Sequence, residues 1–398
     1  MKKLVSLLLA VVMVLGMMSI ASAEEVKIAM ITDYGDITDQ SFNQTTWEAV
    51  VKFGTDNNIE YKYYKPDTND TAGRVAKVEM AIDEGHNVIV MPGYAFGGTL
   101  AEISSEYEDV KFIALDVGAG DLLETAVPMK GGSYDYNPDN WNLADYVYMD
   151  NVYSAIYQEE LCGYMAGYAA VKLGYTDLGF LGGMAVPAVI RYGYGFVQGC
   201  DAAAKELGIN VNIKYVYGNQ FFGDADITAY MDNWYQNGTQ VVFACGGGIY
   251  TSAVDAAKKV DGAKVIGVDV DQAAVITNYA AGEGASEEEL AKWADLTVTS
   301  AMKGLAPTTI DTLTDVVLNG NWANYAGKIE TLGLVGEDPA LNYVQIADST
   351  QFVDGKFTAD DYKALVKGMV DGNIVVSNDI VNAPAVTNAT VDYLGNIK

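Results

Sequence analysis

The chain has 398 residues and a formal net charge of −29. So acidic a chain argues against nucleic acid or an anionic membrane as partner, because every phosphate contact needs a cation. A single histidine, His86, and three cysteines without metal-ligand spacing, Cys162, Cys200 and Cys245, argue against a histidine triad or a zinc site. His86 reads as a helix-end or surface residue before the strand at 88–91, and the cysteines read as small core residues.

The elements follow in chain order. Lys2 and Lys3, the apolar run Leu4–Leu15 and Ala21-Ser22-Ala23 make a signal peptide over residues 1–23. No later stretch stays apolar long enough to span a bilayer, so the mature chain is expected to be exported and soluble, with a net charge of −31 once the two lysines are removed. The mature length, about 375 residues, suggests two domains. "VKIAMIT" 26–32 reads as a strand, "SFNQTTWEAVVKFGTDN" as a helix, and "IEYKYYKP" 59–66 as the next strand. "TAGRVAKVEMAIDEG" 71–85 is a helix with Val75, Val78, Ala81 and Ile82 at helical spacing, followed by the strand "NVIVMPG", a helix over about 98–107 and the strand "VKFIALDVG". Alternation of this kind predicts parallel βαβ units with ligand sites at the carboxyl ends of the strands.

The scheme then repeats. "VIVMPGYAFGG" 88–98 corresponds to "VVFACGGGIYTS" 241–252, and "KFIALDVG" 111–118 to "KVIGVDVD" 264–271, with the same 23-residue separation. "LGFLGGM" 178–184 and "INVNIKYVYG" 209–218 stand where the first two strands stood. Two tandem α/β lobes are therefore expected, ending equivalent strands at Asp116 and Asp269 and closing on a ligand by hinge motion. Between them lies a Tyr/Asn/Asp-rich loop over 131–150, which either lines the cleft with Tyr134 and Trp141 or is a solvated excursion. A crossover helix near 153–173 follows it. "LTVTSAMKGLAPTTIDTLTDVVL" reads as a return strand and helix, and "YVQIAD" as a late strand.

The chemistry-bearing stretches are polar and aromatic. "GYGFVQG" 193–199 misses the dinucleotide fingerprint by one residue and follows no strand, so its glycines read as close helix packing. "CGGGIYTS" 245–252 is a strand-to-helix turn that either offers bare N–H groups to a ligand or is a plain tight turn. "DVDQ" 269–272 lacks further oxygen ligands for a metal, but carboxylates at strand tips accept hydrogen bonds from vicinal hydroxyls. Phe42 and the pair Phe221/Phe222 lie in strand-to-helix connections, either packed under a loop or stacking on a planar ligand. Lys303 alone reads as a surface lysine.

"TDYGDITDQSFNQTTWEAV", "ALDVG", "GYMAGYAAVKLGYTDLGFLGG", "GYGFVQG", "VFACGGGIYTSA", "VIGVDVDQ" and "TSAMKGL" occur in one order and spacing. Together they resemble the basic membrane protein family of ABC-transporter substrate-binding proteins, of the purine nucleoside receptor type. The resemblance implies a type I periplasmic-binding-protein-like fold, two doubly wound lobes with a hinge and an interlobe cleft. The implied lobes are residues 24–150 plus about 298–325, and residues 151–297 plus about 326–398. It implies that Phe42 stacks on a base with Asn43 beside it, and that Phe222, less surely Phe221, supplies the second ring. Asp33, Asp116 and Asp269 match positions that bind base edge or ribose hydroxyls, and Gly246, Gly247 and Lys303 match further contacts.

The expectation is a monomeric, non-enzymatic receptor without metal or cofactor that delivers a purine nucleoside to an ABC permease. The alternatives are a receptor for a sugar or other polar planar solute, a surface sensor on the same fold, or a secreted nucleoside hydrolase using Asp269 and Asp271. Many members of the family carry a lipid-anchoring cysteine just after the apolar signal run, and this leader has none. The long loop 131–150 is a second departure, which bears on ligand identity.

Overall fold

A computed structural model describes residues 25–398; the signal peptide expected over 1–23 lies outside the described residues. The apolar runs form two mainly parallel sheets. In the first, β1 (Lys27–Ile31), β2 (Glu60–Tyr64), β3 (Val88–Pro92), β4 (Lys111–Leu115) and β5 (Val152–Tyr157) stand in the order β2-β1-β3-β4-β5. They are connected through α1 (Phe42–Asn57), α2 (Thr71–Asp83), α3 (Phe96–Ile103) and α4 (Ala119–Met129). In the second, β6 (Asp177–Gly182), β7 (Val211–Tyr217), β8 (Val241–Cys245), β9 (Lys264–Asp269) and β10 (Thr297–Lys303) repeat that order as β7-β6-β8-β9-β10. Helices α5 (Glu159–Leu173) to α10 (Glu287–Trp293) belong to this half; α6 is Pro187–Leu207, α7 Ala225–Gln236, α8 Tyr250–Ala257 and α9 Ala273–Ala281. The central strands β3 and β8 are buried at every residue, as a sheet covered on both faces requires.

The chain crosses between the halves three times. After β5 it enters α5. After β10 it returns through α11 (Leu305–Leu313), which packs on α1, to β11 (Lys328–Leu332), and β11 pairs in parallel with β5. It then goes back to β12 (Val344–Ile346), antiparallel to β10, to α12 (Ala359–Val370), and to β13 (Ala389–Asn396), parallel to β7 at the far edge. The sheets thus divide the chain six or seven residues later than the boundaries at 150, 297 and 325 expected from sequence. Each time a whole strand belongs to the half before the crossing, and residues 153–157 are strand rather than the start of a helix. The cause is local: "VYSAIYQEELCGYM" and "MKGLAPTT" pass from strand to helix with at most one glycine at the crossing, so apolar periodicity shows no break there.

Helices α5 and α6 pack at the distance small residues allow. A Cβ at Gly195 would lie 2.1 Å from Glu160 O, one at Gly199 2.0 Å from Tyr164 O, and one at Gly163 2.2 Å from Tyr192 O. Gly195 and Gly199 of "GYGFVQG" therefore serve helix contact inside α6, whereas Gly193 makes room for Tyr215 and Phe180 of the sheet. His86 sits at the end of α2 but is buried, with Nδ1 3.0 Å from Ala81 O, and all three cysteines are free and buried. Gly199→Ala should push α5 from α6 and lower stability by about 1–3 kcal/mol, measured by urea unfolding.

Candidate functional site

The carboxyl ends of strands from both sheets meet, Ser41 reaching Asp269 and Lys303 reaching Asp116, and the strand order reverses between β1 and β3 and between β6 and β8. The backbone there is held open by glycine. Gly93 has φ +129° and Gly246 φ +143°. A Cβ at Gly93 would meet Asp33 Cβ at 2.9 Å, and one at Gly246 would meet the Phe221 ring at 2.8 Å. One strand further along, Asp116 and Asp269 follow or end β4 and β9 with φ +61° and +65°. Left-handed backbone at a residue other than glycine costs free energy and marks functional sites. The two halves spend it at equivalent aspartates.

Lys303 lies between those aspartates, at the end of β10. Its side chain is 3% exposed, its Nζ pairs with Asp116 Oδ2, and it stands 3.4 Å from Glu159 Oε1 and 3.8 Å from Asp269 Oδ1. Glu159 Oε2 accepts from Arg191 Nε at 2.6 Å. The second carboxylate, Asp269, accepts from Ser41 of the first half at 2.6 Å and from Tyr192 OH at 3.3 Å. Gln272 Nε2 donates to Gln40 O across the same seam at 3.1 Å. The Lys303 ammonium is 4.7 Å from the centre of the Phe42 ring, 5.5 Å from Tyr157 and 5.6 Å from Tyr192. Burial works to lower the Lys303 pKa, but Asp116, Glu159 and Asp269 outweigh it and hold the ammonium above the usual lysine range. Burial also pushes the Asp116 carboxyl up, to about 6, against the pull of Lys303. Asp116 Oδ1 is buried and has no partner among the described residues.

A second polar group sits on the first half. Asp33 Oδ1 accepts from the backbone of Tyr34 and Gly35 at 2.7 and 2.8 Å and from Asn43 Nδ2 at 3.2 Å. Asn43 Nδ2 also reaches Asp39 Oδ2 at 3.1 Å, and its own Oδ1 is buried without a partner among the described residues. Arg74 Nη1 donates to Asp33 O at 2.9 Å. On the second half the Phe221 ring, half-buried, covers Gly183 and Gly246, whereas Phe222 is 59% exposed and pairs only its backbone with Gly248. Gly247, φ +49°, lies under Phe221 O.

Asp116, Asp269, Lys303 and Phe42 thus meet, Asp33 and Asn43 form a neighbouring pair, Gly246 and Gly247 shape the opposite turn, and Phe222 is left outside. Glu159, Arg191, Ser41, Tyr157 and Tyr192 were not singled out from sequence. The signal available was composition: the chain has two arginines, of which Arg74 donates to the main-chain carbonyl of Asp33 and Arg191 to the carboxylate of Glu159. The loop 131–150 gathers Tyr134, Tyr136, Trp141 and Tyr146 into an aromatic cluster, with the Tyr134 hydroxyl against Gly120 at the start of α4.

A family model described as "ABC transporter substrate-binding protein PnrA-like" matches residues 26–323. The chain belongs to this family. It is 24% identical over 355 residues to the "ABC transporter nucleoside-binding protein BmpA" of Lactococcus lactis, covering 84% of this chain and 89% of that protein. It is 26% identical over 257 residues to "Basic membrane protein B" of Borreliella burgdorferi, covering 63% and 67%. Solute-binding proteins of ABC transporter systems share the fold: one from Aeropyrum pernix superposes with TM-score 0.61 at 17% identity, covering 89% of this chain and 88% of the other. One from Conexibacter woesei superposes with TM-score 0.59 at 18% identity, covering 89% and 99%. The architecture is that of type I-like periplasmic solute-binding proteins, and the protein is an ABC transporter solute-binding protein.

Burial also raises the Glu160 carboxyl, to about 7, and its Oε2 is buried with no partner among the described residues. An acid with a raised folded pKa binds its proton more tightly folded than unfolded, so it subtracts stability fully above about pH 7 and progressively less as pH falls from there to the ordinary glutamate value. Glu160→Gln should therefore stabilise the protein by about 1–3 kcal/mol near pH 8. Most of that gain should be gone near pH 5, as read by thermal melts across pH.

Proposed function

We propose that the cleft binds a purine nucleoside, and that the protein is a non-enzymatic, extracytoplasmic receptor which works as a monomer and hands its ligand to an ABC permease. One observation carries this reading: a single buried ammonium bridges Asp116 and Asp269 while lying 4.7 Å over the Phe42 ring. Acceptors for vicinal hydroxyls and a flat apolar face are thereby brought within one side chain's reach. A nucleoside presents both. The Lactococcus relative, named as nucleoside-binding, supports the same ligand class.

In this reading Phe42 stacks on the base, with Phe221 in place of Phe222 on the second half. Asp33 and Asn43 read the base edge, Asp116, Asp269 and Lys303 hold the ribose hydroxyls, and the backbone at Gly246 and Gly247 borders the ligand. Lys303 and Arg191 face three carboxylates, Asp116, Glu159 and Asp269, so the cluster carries an excess of negative charge. It suits an uncharged ligand and repels a phosphate. None of the described helices is long and apolar enough to cross a membrane.

Calorimetric titration with inosine, guanosine and adenosine should show saturable heat with at least one of them. The 5′-monophosphate of that nucleoside should bind at least tenfold more weakly, by about 1.4 kcal/mol. Absence of heat and of any thermal shift with all three would remove the nucleoside reading. Phe42→Ala should cost about 1–3 kcal/mol of binding if a base stacks there; an unchanged affinity speaks for a ligand without a planar ring.

A further inference from the structure

Glu159 stands at a crossing between the halves, and both of its cations come from the second half. It is the first residue of α5, directly after the first crossing, and it is completely buried. Its two carboxylate oxygens serve different cations from different elements: Oε2 takes Arg191 of α6 at 2.6 Å, and Oε1 faces Lys303 of β10, at the second crossing, at 3.4 Å. Burying a carboxylate costs several kcal/mol unless cations and hydrogen bonds compensate. A structural pair would need one cation for that. Here the second one is the ammonium that also reaches Asp116, Asp269 and the Phe42 ring.

The charge state differs along this chain of groups. Burial works to raise the Glu159 carboxyl, yet Arg191 and Lys303 hold it below the ordinary glutamate range. The start of α5 adds a favourable dipole for an anion. The groups facing it are Arg191 from α6, Lys303 from β10, Asp116 beyond β4 and its own neighbour Glu160. Without Glu159, the Lys303 ammonium would have only Asp116 and Asp269 as counter-charges, and ligand hydroxyls would have to compete with it for those same oxygens.

We propose that Glu159 is a positioning residue: shared between Arg191 and Lys303, it carries part of the lysine's charge at the junction of the halves and so leaves Asp116 Oδ1 open to the ligand. The effect on affinity rests on the nucleoside reading of the cleft; the coupling between Glu159 and Lys303 does not. Both are tested with four proteins: wild type, Glu159→Gln, Lys303→Met and the double variant.

With inosine as probe, Glu159→Gln should weaken binding about tenfold in the wild-type background and less than about twofold in the Lys303→Met background. Equal losses in both backgrounds, or no loss in the first, overturn the proposal. Urea unfolding of the same four proteins reads the coupling without ligand: non-additive shifts of the midpoint support it, and additive shifts overturn it. Failure of wild type to bind any nucleoside therefore removes the functional reading alone and leaves the unfolding cycle to decide on Glu159. Should Glu159→Gln not fold, Arg191→Gln takes its place in both cycles. With Lys303 present Glu159 keeps one cation, whereas in the Lys303→Met background Arg191→Gln leaves it with neither, so the midpoint shift should be larger in that background; equal shifts in both backgrounds overturn the proposal.

Discussion

The arrangement depends on one buried ammonium. Lys303 is almost inaccessible, sits where the chain leaves the second sheet for the first, and is surrounded by carboxylates from three places: the end of β4, the start of α5 and the end of β9. A lone charge in such a position would cost many kcal/mol. With three anions around it, the cost is offset only when both halves and a crossing are in register. The lysine therefore makes correct juxtaposition of the halves an electrostatic requirement, and Ser41 and Gln40 complete the seam with hydrogen bonds to Asp269 and from Gln272.

The two halves meet this requirement with the same local device. Each sheet places a glycine with positive φ after its third strand in chain order and an aspartate with positive φ at the end of its fourth. The glycine lets a neighbouring side chain or ring come close, and the strained aspartate turns its carboxylate inward. The 23-residue echo between the lobes in the sequence is thus the trace of a duplicated strand-end geometry, and the lysine at its centre has no counterpart in that echo.

The duplicated parts were legible because they are patterned. Parallel strands buried on both faces read as apolar runs, and Asp116 and Asp269 stand out as acids that close such runs. Lys303 was visible only through family resemblance, since one lysine at the end of "TSAMK" has no periodicity to show that it turns inward. Glu159 was hidden for a different reason. Two acids opening an apolar helix look like ordinary dipole partners, and nothing local tells that both are buried. The choice between Phe221 and Phe222 is a matter of one residue in a tight connection, where turn geometry rather than composition decides which ring faces Gly183 and Gly246. At the first two crossings the chain passes from strand to helix with no break in the apolar pattern, whereas the third follows β11 through a stretch that holds Gly333, Gly336 and Pro339.

The three crossings have a kinetic consequence. The first sheet is not complete until β11 pairs with β5, and the second not until β13 pairs with β7, where Ala389 meets Val211. Pairings between such distant segments form slowly, because loop closure must precede the contacts that reward it. The first sheet can close once residues 328–332 have been made, whereas the second waits for residues 389–396, almost the end of the chain. A second half that stays open until its last strand arrives would suit the export that the sequence leads one to expect, because an open segment can still be threaded through a narrow channel.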